Sequence, residues 1–152
     1  MASFQFEREL EVSAPQDEVW HKITDVQRVV GWISVCRDAR ELAPLERYSA
    51  VLEDRLGMFS LRADLDIVVS EVERASRLRA RAEGQDRQVG SRIVIDGLVE
   101  LRPRGDGSQV RVSGAYEVTG RVATLGASSI RHKGDKVLGE FFDNVGRELS
   151  SR

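Results

Sequence analysis

Cysteine is almost missing from this chain. Cys36 is alone among 152 residues, so no internal disulfide is available and a reducing, cytoplasmic setting is expected. Histidine is nearly as scarce. His21 and His132 have no metal-ligand or catalytic spacing to Cys36 or to a carboxylate pair, so no metal site and no cofactor are expected. No apolar run approaches the ~20 residues of a membrane-spanning helix, and the N-terminus lacks the basic-then-apolar opening of a signal peptide. An excess of either charge is absent too: 23 Lys and Arg face 25 Asp and Glu, for a net charge of −2. That balance argues against non-specific nucleic-acid binding, which draws on a strong positive field.

What is present is an ordinary globular composition, 41% hydrophobic and 32% charged, long enough to bury a real core. No linker, internal repeat or low-complexity segment divides it, so residues 1–152 read as one domain. Phe4, Phe6, Leu10 and Val12 share one face of an opening strand, interrupted by Arg8 and opposed by Glu7, Glu9 and Glu11. Ser13 and Gln16 have capping-box spacing, and Pro15 suits a first helical turn. Val19, Trp20 and Ile23 then form the apolar face of a short helix. Asp25 can cap a second, whose inward residues are Val26, Val29 and Val30. Residues 44–47 separate a second strand from a third over 48–56, and Gly57 turns into a long fourth. There Phe59, Leu61, Ala63, Leu65, Ile67 and Val69 alternate with polar residues. A fifth strand carries Arg77, Arg79 and Arg81 on one face; residues 84–90 read as a loop. Strands over 93–101 and 110–119 complete the set, with Gly97 at a position suited to a bulge.

The C-terminal third changes period. Gly120-Arg121-Val122-Ala123-Thr124-Leu125-Gly126 opens a long helix, and Leu138, Phe141, Phe142, Val145 and Leu149 recur at three-and-four spacing. The expected fold is therefore α+β: a curved antiparallel sheet of six to seven strands around one long C-terminal helix, with two short helices after strand one. A helix about 10–12 Å across covers roughly two or three strands spaced about 4.8 Å apart. A larger sheet must curl around it, and the remaining space is filled by side chains or hollow. Gly120, Gly126, Gly134 and Gly139 in this region suggest close packing or a hinge.

The G-R-V-A-T-L-G turn followed by a helix with Phe141-Phe142 resembles the carbon monoxide dehydrogenase G-subunit (CoxG) family of the START-like, or SRPBCC, helix-grip superfamily. Phe4-Gln5-Phe6, Val12-Ser13-Ala14-Pro15 and Glu18-Val19-Trp20 resemble the superfamily's opening strand and helix entry. One departure stands out. Family members usually carry a Pro-Gly dipeptide after the second short helix, and residues 32–38 here contain neither residue. The resemblance implies an accessory role beside a molybdenum-containing dehydrogenase, in assembly, membrane recruitment or delivery of a lipophilic electron acceptor. Related helix-grip proteins bind isoprenoid quinones, so a quinone or other lipid is the implied ligand. Longer relatives continue into a tail thought to attach them to membranes; this chain stops at Arg152, so no tail anchor is expected.

The inward faces carry few ionisable groups, whereas a hydrolase or lyase needs positioned acids, bases or nucleophiles. Arg77, Arg79 and Arg81 read as an outer face balanced by acids on neighbouring strands, or else as a docking surface for an acidic partner or lipid head groups. Arg131, His132 and Lys133 lie where they could gate a cavity. The favoured reading is non-catalytic binding of a hydrophobic small molecule in a pocket lined by Phe59, Leu61, Ala63, Leu65, Tyr116, Val118, Leu125, Ile130 and Phe141. Its partners would be that ligand and an oxidoreductase or membrane surface. Two other readings use the same scaffold: a polyketide cyclase or dehydratase working through Tyr116, Arg8 or His21, and a co-chaperone-like interaction domain with a filled core.

Overall fold

A computed structural model describes residues 2–86 and 88–150. Strand β1 (Ala2–Val12) leads into α1 (Gln16–Ile23) and α2 (Val26–Gly31). Strands β2 (Cys36–Ala43), β3 (Arg47–Leu56), β4 (Phe59–Glu73), β5 (Arg77–Asp86), β6 (Ser91–Arg104) and β7 (Gly107–Gly120) follow. A 3₁₀ turn (Arg121–Leu125) then precedes helix α3 (Ala127–Ser150). The seven strands form one antiparallel sheet in the order β1-β7-β6-β5-β4-β3-β2. Sequential strands from β2 to β7 are neighbours joined by tight turns, and β1 closes against β7. The α1–α2 excursion is what carries the chain from one edge of the sheet to the other. The expected helix-grip architecture is the one observed.

Several local expectations change. Residues 84–86 continue β5 rather than forming a loop, because Gly84 and Gln85 pair with Ile93 and Arg92. Gly97 sits in unbroken register between Ala80 and Gly114. The irregularities that bend the sheet are instead in β2 and between Val69 and Glu71 of β4. The C-terminal segment is two pieces. Gly126, at φ 95°, takes a conformation that L-residues avoid and separates the 3₁₀ turn from α3. Asp25 caps α2 as expected, accepting from the Arg28 backbone N–H. The capping box does not form. Ser13 Oγ donates to Ser150 O, while Gln16 Nε2 donates to the carbonyls of Ala75 and Leu101, so both side chains tie distant segments together.

Burial divides along α3. Its second half sets Phe142, Val145 and Leu149 into a solid core with Val12, Val19, Trp20, Trp32, Leu101 and Val110. Its first half contributes only Ile130 to a smaller cluster with Leu61, Ile93, Val118 and Val122. The helix is thus anchored at its C-terminal end and more lightly held at the other. On the outer sheet face Arg77 and Arg79 pair with Glu71, and Arg81 with Glu83 and Asp96. The arginine ladder is therefore neutralised in place, the balanced-face reading of the sequence.

Candidate ligand cavity

Under the lightly held half of α3 lies a cavity of about 170 Å³. The period-two alternation of the strands supplies its floor: Leu52, Asp54 and Leu56 from β3, Leu61 from β4, Ile93 and Ile95 from β6, and Tyr116 and Val118 from β7. Helical spacing supplies its roof, since Ile130, Lys133, Gly134, Val137 and Leu138 recur at three-and-four intervals. Phe6 and Val35 complete the wall.

Of the residues expected at a pocket, Leu61, Tyr116, Val118 and Ile130 border this cavity. Phe59, Ala63, Leu65, Leu125 and Phe141 do not, for separate reasons. Phe59 packs into the small cluster near the β3–β4 turn. Ala63 is 1% exposed, with its methyl packed toward Gly84. Leu65 covers Gly84, so closely that a Cβ there would meet its Cδ2 at 2.7 Å. Leu125 sits on the 3₁₀ turn against Gly57. Phe141 turns to the solid core, with its ring 6.4 Å from that of Trp32 and 5.5 Å from that of Phe142.

Two polar features mark the cavity. Tyr116 stacks its ring on Phe4 at 5.1 Å, and its hydroxyl is buried with no hydrogen-bond partner among the described residues. Burial pushes the phenol above its ordinary pKa, with Asp135 adding to the rise and Arg131 opposing it. The hydroxyl lies directly beneath α3 at Gly134, where a Cβ would fall 2.1 Å from it. Glycine is the residue that lets the helix pass over this ring. The second feature is an ion pair, Lys133 Nζ to Asp54 Oδ2 at 3.0 Å, joining roof to floor. Asp54 Oδ1 also accepts from the Arg55 backbone N–H at 2.8 Å. This inward carboxylate on β3 escapes a reading of the fourth and seventh strands alone; the run Leu52-x-Asp54-x-Leu56 places it on the apolar face.

The residues weighed for catalysis do not converge. Arg8 lies over the Phe142 ring, 5.1 Å from its centroid, on the solid-core side. His21 and His132 are exposed. Burial raises the Cys36 thiol to about 11, so it is scarcely a nucleophile near neutral pH. Among the described residues no group of three or more His, Cys, Asp or Glu side chains could hold a metal ion. No helix among them is long and apolar enough to cross a membrane.

Comparison with known proteins agrees with this fold. The family described as the carbon monoxide dehydrogenase G subunit (CoxG) matches residues 9–150. No curated protein matches the sequence. Among solved structures, a conserved protein from Geobacillus kaustophilus superposes with a TM-score of 0.82 at 19% identity, covering 96% of this chain and 95% of that one. A protein from Thermus thermophilus gives 0.70 at 15% identity over 96% and 97% of the two chains. One from Rhizobium leguminosarum gives 0.68 at 14% over 99% and 96%. At these identities the structures establish a shared fold.

Proposed function

Since the chain belongs to the carbon monoxide dehydrogenase G-subunit (CoxG) family, we propose that it binds a hydrophobic small molecule without transforming it. The ligand, a lipid or an isoprenoid quinone, would sit between the sheet and the first half of α3. The protein would serve as a cytoplasmic accessory to a molybdenum-containing dehydrogenase, receiving its ligand from that partner or from a membrane surface. The observation that carries this reading is an almost wholly apolar cavity roofed by the less anchored half of a helix. Its volume of about 170 Å³ is close to the ~150 Å³ apolar cavity that accepts a benzene-sized guest. One ring or a short branched unit fills it, and any longer chain leaves toward solvent. The cyclase reading has less support, because the two charged groups at the cavity neutralise each other and the Tyr116 hydroxyl lies under Gly134.

Native mass spectrometry of freshly purified protein is the test, with a bound lipid-sized mass expected. Ile95→Trp should abolish both that mass and uptake of a neutral apolar fluorophore while the protein still unfolds cooperatively. Ala63→Trp should instead destabilise the fold by about 1–3 kcal/mol, because the position is packed and borders no cavity. A wild-type protein that carries no mass and takes up no fluorophore would end the carrier reading.

A further inference from the structure

Asp54 and Lys133 are the charged residues among those lining the cavity. Both are largely withdrawn from water, with side chains 17% and 29% exposed. Lys133 Nζ is ion-paired with one carboxylate oxygen of Asp54, and the Arg55 N–H donates to the other. An ammonium group has three N–H donors and no acceptor, and Asp54 takes at most one of them. Lys133 therefore has N–H donors left to offer a ligand, and the pair as a whole is electrically neutral.

Resting on the carrier reading above, we infer that this pair selects the ligand class: an apolar molecule whose polar end is a neutral acceptor, a carbonyl oxygen, in preference to a carboxylate. A carbonyl oxygen accepts from Lys133 and loses little on leaving water. A carboxylate would meet Lys133 and Asp54 together, so attraction to one is opposed by repulsion from the other. The cost of stripping its hydration is then left without compensation. Asp54 sets the charge preference, and Lys133 supplies the hydrogen bond.

Displacement of the neutral fluorophore N-phenyl-1-naphthylamine by pentylbenzene, phenylpropyl methyl ketone and phenylbutyrate at pH 8 tests this. The three share a ring and a short chain and differ in the polar end. Wild-type protein should bind the ketone about tenfold tighter than the hydrocarbon and also tighter than the anion. Asp54→Asn keeps the side chain's shape and leaves the Lys133 charge free, so preference for phenylbutyrate over the ketone should rise by about tenfold or more. The double variant Asp54→Leu/Lys133→Met carries neither a charge nor a hydrogen-bonding side chain at the pair, and in it the ketone's advantage over the hydrocarbon should disappear. Far-ultraviolet circular dichroism and a melting curve establish that each variant folds, and the double variant decides the matter if Asp54→Asn does not. A wild-type preference for phenylbutyrate, or a ketone advantage that survives in the double variant, would overturn the inference and leave the carrier reading standing. Failure of the wild-type protein to take up any of these molecules would overturn both.

Discussion

At the scale of single residues, Asp86 shows how a buried carboxylate is made tolerable. It is 5% exposed at the β5–β6 connection and accepts from the backbone N–H groups of Arg62, Gln88 and Val89. Burial on its own would raise its pKa, but the three donors outweigh that effect and hold it below the ordinary aspartate value. A carboxyl group depressed on folding stabilises the native state above its unfolded pKa, near 3.9. That stabilisation is lost as pH falls through the lower folded value. Asp86→Ala should therefore cost about 1–3 kcal/mol near neutral pH, where three donors are left without their acceptor. The gap between variant and wild type should narrow as acid unfolding is followed below about pH 4. A gap independent of pH would mean that the charge contributes nothing.

At the scale of the element, α3 contains two kinds of glycine. Gly134 sits on the Tyr116 hydroxyl, and an added Cβ would also lie 2.6 Å from Tyr116 Cζ, so the ring end or the helix must shift. Gly139 and Gly146 have nothing within 4 Å of an added Cβ. Replacing helical glycine by alanine gains up to about 1 kcal/mol where there is space. Gly139→Ala should thus raise stability in chemical denaturation, whereas Gly134→Ala should lower it by about 1–3 kcal/mol through overpacking. If both variants were stabilised, the helix would be able to lift from Tyr116 at little cost, and the close packing at Gly134 would carry no energetic weight.

At the scale of the molecule, one sheet and one helix enclose a solid core at one end and a cavity at the other. A ligand that binds the native state alone raises stability by about 2.7 kcal/mol at a hundred times its Kd. For this protein the gain should be local in hydrogen exchange. Amides of residues 130–138, which roof the cavity, should exchange faster than those of 141–149 in the free protein and should slow on addition of phenylpropyl methyl ketone. Equal protection of both halves, unchanged by ligand, would mean that the roof does not open.

The seven strands, the two short helices and the inward stripe of α3 were legible in the sequence, because periods of 2 and 3.6 decide which way a side chain faces. The motif from Gly120 to Gly126 with Phe141-Phe142 was enough to point to the family that the match over residues 9–150 shows. Facing inward is not the same as bordering a cavity. Leu61 and Leu65 share a face of β4, yet Leu65 lies across Gly84 while Leu61 reaches open space. Phe141 belongs to the helix stripe, yet it packs on Trp32. Those outcomes depend on how high the helix rides above each strand. Contacts between residues far apart in the chain decide that height, with Tyr116 under Gly134 and Asp54 against Lys133. Local periodicity carries no information about such pairs, so the polar end of the cavity became visible only when the sheet had curled and the helix had been laid across it.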